Sequence, residues 1–217
     1  MNQRIVSVNV GLPQLIEWQG KPVSTSIFKA PVAERLQISR LNVAGDQQAD
    51  LSVHGGPDKA VYAYDLEHYT YWQHQLDWPD WTYGLFGENL TTDGLPDETA
   101  YVGSIYRIGT ARLQVAQPRF PCFKLNARFN DRSMVKKFSD AMRCGIYFRV
   151  IDEGDVQAGD SVTLEEEPDR TLTIRDVAEV YFSRSADPDR MDQLVNHPYL
   201  AKNLSNHFKR FRWSIEK

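Results

Sequence analysis

Apolar and polar residues alternate along most of the first three quarters of the chain, as they do in strands with one buried face. Arg4 to Val10, Arg35 to Val43 and Tyr106 to Gln117 follow this period of two, the last broken by a turn at Gly109-Thr110. Ile146 to Ile151 and Ser161 to Leu164 continue it. The Gly- and Asp-rich run between those two, Asp152 to Asp160, predicts tight turns between barrel strands. Two segments carry a helical period instead. Leu66, Tyr69, Trp72 and Leu76 share one face of a helix predicted over Asp65 to Trp78 and ended by Pro79. Met134, Val135, Phe138, Ala141 and Met142 stripe a second, over Asp131 to Cys144, with Gly145 as its stop. Both stripes read as core faces. The pattern predicts a mainly β (α+β) chain, a β-barrel or strongly bent sheet carrying two helices.

After Pro168 the pattern turns helical throughout. Thr173 can cap a helix reaching Tyr181, Pro188 opens a second reaching Asn196, and Leu200 to Trp213 forms a third. This divides the chain into a β-rich domain, residues 1–168, and a three-helix extension, residues 169–217. The extension holds nine Lys/Arg against seven Asp/Glu, whereas the whole chain is at −4. Its basic and aromatic run Lys209 to Trp213 reads as a solvated helix end, with contact to nucleic acid or an acidic protein as the alternative.

Composition narrows the class. With 217 residues, 41% hydrophobic and 25% charged, the chain can bury a core without disulfides or metals as staples. No apolar run approaches the roughly 18 to 20 residues of a membrane span. The first residues lack the apolar stretch of a secretion signal, so the cytoplasm is the expected compartment. A net acidic chain disfavours a broad nucleic-acid surface. Cys122 and Cys144 are too few for a disulfide framework and are expected as thiols.

Phosphate-loop, dinucleotide, nucleophile-elbow and C-x-x-C signatures are absent, and the five histidines lack the spacing of helical zinc sites. Three segments carry candidate chemistry. In His54-Gly55-Gly56-Pro57-Asp58-Lys59 a glycine pair lets backbone amides approach a ligand between two cationic side chains, an anion cradle or else a plain glycine turn. In Phe86-Gly87-Glu88-Asn89-Leu90 the glycine and Asn89 suit a bulge, and Asn89 offers both a donor and an acceptor. The third is Gln117-Pro118-Arg119-Phe120-Pro121-Cys122-Phe123-Lys124. Its two prolines hold an extended path and set a thiol between Arg119 and Lys124, which favours thiolate, the form that reacts and binds redox metals. The alternative is a buried hydrophobic cysteine, and that is the reading for Cys144.

Together with Ile27-Phe28-Lys29-Ala30-Pro31-Val32, Gly45-Asp46 and Gly159-Asp160-Ser161-Val162, these segments in this order resemble the MOSC family. The family is named for the C-terminal domain of molybdenum-cofactor sulfurases. The resemblance is to its YiiM-like branch, linked to resistance to 6-N-hydroxylaminopurine, and it covers nearly the whole chain, helical extension included. It implies a barrel of the pyruvate-kinase-barrel type, with its core over about 27–165, binding a molybdenum pyranopterin rather than pyridoxal phosphate. By position it makes Cys122 the molybdenum ligand, sets Lys29 near the cofactor phosphate, and puts Asn89 in the segment lining the metal. His54, Gly55, Gly56, Lys59, Arg119 and Lys124 are the further cofactor-binding candidates.

The implied activity is reduction of N-hydroxylated bases and hydroxylamines to amines. The chain has no flavin, nicotinamide or iron–sulfur signature, so electrons are expected from a separate reductase. No membrane or nucleic-acid partner is expected, and a homodimer is compatible with the helical extension. A persulfide or cofactor carrier using Cys122 is the main alternative, and an adaptor acting through the extension is a third.

Overall fold

The computed structural model describes residues 3–49, 55–168, 172–183 and 188–215, with side chains to 212. Twelve strands are formed among these residues. They are β1 (Arg4–Val10), β2 (Gln14–Trp18), β3 (Lys21–Thr25), β4 (Ala30–Val32), β5 (Leu36–Ile38), β6 (Val61–Asp65) and β7 (Leu90–Asp93), then β8 (Ile105–Ile108), β9 (Ala111–Pro118), β10 (Ile146–Asp152), β11 (Gly154–Val156) and β12 (Val162–Glu166). Eight of them make one sheet in the order β12-β8-β9-β10-β6-β7-β1-β4. Its ladders are antiparallel except for β6 against β7.

The sheet closes on itself through β1. One edge of β1 pairs with β7. The other takes β4 near Val10 and residues 159–162 near Arg4, through the Arg4–Ser161 bridge and the bond from Ile5 N–H to the Asp160 carbonyl at 2.8 Å. Closure removes the exposed edge that an open sheet would present. Ile5, Val8, Ile108, Leu113, Val115 and Phe148 point inward and are almost fully buried. The chain is therefore mainly β, with its helices outside the barrel.

The predicted helices are present and shorter than the periodicity suggests. The first, α1 (Leu66–Gln75), is capped by the Asp65 carboxylate, which accepts from the Glu67 N–H. It stops three residues before Trp78, because the chain turns extended at Leu76 and carries Trp78 onto Phe129, ring centres 5.0 Å apart. A short helix that the pattern does not reveal, α2 (Phe123–Phe129), follows Cys122 and buries Leu125 and Phe129. The next, α3 (Met134–Ala141), ends in a left-handed Met142 instead of reaching Cys144. There the Asp97 carboxylate takes the N–H groups of Cys144 and Gly145 out of the helical path.

Alternation also overstates one strand. Within Arg35 to Val43 only Leu36–Ile38 joins a ladder, with β11 inside the predicted turn region, and Ser39 to Asn42 form a turn closed by the Ser39 N–H to Asn42 carbonyl bond. Ile38 and Val43, five residues apart and so out of phase along a single strand, pair across that turn and are both fully buried.

In the extension lie α4 (Ile174–Ser183), α5 (Pro188–Asn196) and α6 (Lys202–Ile215). Thr173 caps α4 as predicted: its hydroxyl accepts the Asp176 N–H at 3.0 Å, and Asp176 accepts the Thr173 N–H at 2.8 Å. Leu172, Ile174, Val177, Met191, Leu194 and Leu204 share one hydrophobic cluster with the barrel interior. The Val102 and Ala201 N–H groups bond to the Leu172 and Ala116 carbonyls, stitching the extension to β9 and its neighbours.

Candidate functional site

One rim of the barrel, where β1 and β9 end and β4, β7 and β10 begin, gathers most of the candidates. Lys29, Asn89, Arg119, Cys122 and Lys124 line a single cavity of about 90 Å³ there, with Asp46, Tyr62 and Tyr147 as further walls.

Lys29 reaches this cavity because the 27–29 segment lies tight against the 84–88 loop. Gly84 sits at φ +83°, and a Cβ on it would come within 2.8 Å of the Lys29 carbonyl oxygen, so only glycine permits the approach. The loop is held by buried Glu88, which accepts from the Gly84 N–H at 2.7 Å, the Phe86 N–H, the Thr91 hydroxyl and the Tyr69 hydroxyl. Burial raises the Glu88 carboxyl above its ordinary value, against the pull of these bonds. Between 4.5 and that raised value the folded protein binds more protons than the unfolded chain, so stability falls as pH rises through the window. Glu88→Gln should therefore gain on the wild type as urea midpoints are followed from about pH 4 to 7. A constant gap between the two would show that folding leaves the carboxyl untouched.

The Lys29 ammonium is buried and forms an ion pair with Asp46, whose own side chain is 3% exposed. Burial lowers the pKa of Lys29, while Asp46 and Glu88 oppose the change. The Asp46 carboxylate also accepts from the Gly11 N–H and from Asn89 Nδ2, both at 2.9 Å. Asn89 is fully engaged: its Oδ1 takes the Tyr62 N–H at 3.2 Å, and its backbone bonds to both Tyr62 and Asn9. It ties β1 to β6 and holds Asp46 in place.

Arg119 leaves the end of β9 with its N–H on the Gly145 carbonyl at 3.2 Å. Its guanidinium is buried beside the rings of Phe138 and Tyr62, 5.3 and 5.6 Å from their centres, and hydrogen-bonds Tyr147. Burial works against its charge, but a guanidinium keeps its proton throughout the ordinary pH range. Its Nη1 is buried with no partner among the described residues, as is Ser26 Oγ on the same cavity. Buried donors of this kind are rare unless a ligand or water takes them.

Cys122 is extended (φ −130°, ψ 172°), half-buried, and immediately precedes α2. Cys144 is fully buried, and burial first, then Asp97, raises its thiol well above the ordinary value, which fits an inert core residue.

The glycine-pair segment sits apart from the cavity wall. Gly55, Gly56 and Lys59 do not line it, though Gln48, which does, donates to the Lys59 carbonyl at 3.3 Å. His54 lies outside the described residues. Arg149 clamps this segment through two bonds to Asp58, of 2.8 and 2.6 Å. Asp46, Tyr62, Tyr147 and Ser26 are site residues that sequence reasoning did not single out. Asp46 stands beside Gly45 in a segment already marked, whereas the two tyrosines look like ordinary strand residues. Among the described residues no cluster of His, Cys, Asp and Glu is arranged to hold a metal, and no helix is long and apolar enough to cross a membrane.

A closed barrel with a thiol and three cations at one rim defines a class, and comparison with known proteins agrees on which. The MOSC domain model matches residues 50–163, and the chain belongs to that family. Protein YiiM of Escherichia coli is 34% identical over 200 residues, covering 90% of this chain and 87% of that protein. A protein named "Reductase" from Gibberella moniliformis is 32% identical over 182 residues, 82% of this chain but 32% of that longer one. The crystal structure of YiiM from Geobacillus stearothermophilus superposes with a TM-score of 0.82 at 33% identity, over 97% of this chain and 99% of that one. This is a YiiM-like MOSC protein.

Proposed function

We propose that this protein binds a molybdenum pyranopterin at the barrel rim and reduces N-hydroxylated bases and hydroxylamines to amines, with electrons from a separate reductase. The observation that carries the reading is the unpartnered Arg119 Nη1, buried with Ser26 Oγ on the cavity that also holds the Cys122 thiol. The donor set suits the group. Lys29, Arg119 and Lys124 face one carboxylate, Asp46, leaving an excess of positive charge for a phosphate. Cys122 is the thiolate donor that a soft metal takes.

When bound, the cofactor supplies two-electron oxygen-atom chemistry: a hydroxylamine, two electrons and two protons become an amine and water. The chain supplies position and charge. Arg119 and Lys29 would hold the anionic end, Cys122 presents its sulfur from a proline-braced segment, and Tyr62 and Tyr147, whose phenols burial pushes still further from ionising, supply neutral aromatic lining. The match to a protein named as a reductase supports the redox reading.

The test is molybdenum and pterin stoichiometry in wild type and Cys122→Ala, purified from a host shown to load another molybdenum protein. Near-stoichiometric metal in the wild type, weakened in the variant, is the expected result. Empty wild type with cyanide-labile sulfur on Cys122 would replace the reductase by a persulfide carrier.

A further inference from the structure

The segment bearing Arg119 and Cys122 has little backbone bonding with which to hold its shape. Pro118 and Pro121 have no N–H to donate, and Arg119 to Cys122 belong to no strand or helix. Arg119 is anchored through its N–H on Gly145. The residue between the two prolines that points away from the cavity is Phe120. Its ring stacks on Tyr181 of α4, centres 3.6 Å apart and planes 17° apart, and meets Phe182 edge-on at 5.6 Å. Tyr181 is backed in turn by His207 of α6 at 5.1 Å. Arg119 and Cys122 line the cavity on one side of the segment, and Phe120 grips the helical extension on the other.

We infer that Tyr181 is a positioning residue for the site: through Phe120 it fixes the Arg119–Cys122 segment, so that the helical extension sets where the thiol stands. The geometry stands without any bound group, and its bearing on catalysis rests on the function proposed above. The two rings meet face to face, so each shields one flank of the other from water. In a segment where two prolines offer no N–H and no ladder runs, that packing decides between a fixed and a wandering loop.

The experiment is the rate of iodoacetamide alkylation of Cys122 in the cofactor-free full chain, followed by mass spectrometry with buried Cys144 as internal control. Tyr181→Ala should raise the Cys122 rate at least fivefold and leave Cys144 protected, and Tyr181→Phe, which keeps the ring, should restore the wild-type rate. A rate unchanged or lowered in Tyr181→Ala would overturn the inference. If Cys144 also became reactive, the fold would have opened. Phe120→Leu then decides on the same criterion, since it keeps an apolar side chain and loses the flat stack. Molybdenum loading is measured in parallel. An altered alkylation rate with no metal in any variant, wild type included, would leave the positioning role standing and remove the reductase.

Discussion

Arg119→Met should weaken binding of inorganic phosphate to the cofactor-free protein by about 30-fold or more, while raising its melting temperature. The two signs come from one fact. A buried guanidinium with an unpartnered Nη1 is a cost to the empty fold and a resource for an anion. Methionine fills much of the same space between Tyr62 and Phe138 without the charge. Removing a buried charge from an ionic contact costs about 2–5 kcal/mol of binding, and 2 kcal/mol is roughly 30-fold. Replacing a buried ionic group by a well-packed apolar one often gains about 1 kcal/mol or more of stability. Arg119→Lys should recover part of the affinity, since it returns the charge without the planar fork. Calorimetric titration and thermal melts measure both quantities. Unchanged affinity in the methionine variant would remove Arg119 from the proposed anion site.

Asp97→Ala should cost about 3–5 kcal/mol of folding stability, a large share of the roughly 5–15 kcal/mol typical of a domain. Its carboxylate is buried and accepts from the Cys144 N–H at 2.7 Å, the Gly145 N–H at 3.0 Å and His68 Nε2 at 2.9 Å. Arg143 Nη1 donates to His68 Nδ1 at 3.1 Å, which leaves the ring proton on Nε2, facing Asp97. Alanine would strand two backbone N–H groups and a ring N–H in a fully buried position. No other residue can replace Gly145 there: at φ +71°, a Cβ would lie 2.5 Å from the Ala63 carbonyl oxygen. Because the Gly145 carbonyl receives the Arg119 N–H, the loss should reach the site as well. Asp97→Asn, which keeps one good acceptor, should fall between the two. Urea denaturation of the three proteins tests the order, and an alanine variant within about 1 kcal/mol of wild type would contradict it.

The sequence told a good deal about this molecule and stopped at identifiable places. Alternation located β1, β8, β9, β10 and β12. In β9, seven of whose eight residues are buried, the period survives because polar Arg112 and Gln114 alternate with apolar neighbours, not because one face is exposed. Alternation passed over β6, whose five residues are all buried, since Val61-Tyr62-Ala63-Tyr64 has no charged or amide residue to mark a period. The short α2 stayed hidden because seven residues give only one apolar repeat, Leu125 with Phe129. In the site, Asn89, Arg119, Cys122 and Lys124 were legible from their motifs and Lys29 through the family resemblance, and the five line one cavity. Asp46 was legible only as part of the Gly45-Asp46 pair that carries the family resemblance, with no role in the site attached to it. Its importance comes from three donors brought by β1, the Lys29 segment and Asn89, which only the closed barrel assembles.

The closure through β1 also sets a timetable. Arg4 finds its partner at Ser161, so the barrel cannot close until nearly three quarters of the chain is available, and contacts this distant in sequence slow folding. Until then the Arg4 end of β1 presents an open edge, the kind of surface that pairs with other chains. A nascent chain of this protein spends its synthesis as an unfinished sheet, and its yield in a cell should depend on how quickly residues 159–162 arrive to seal it.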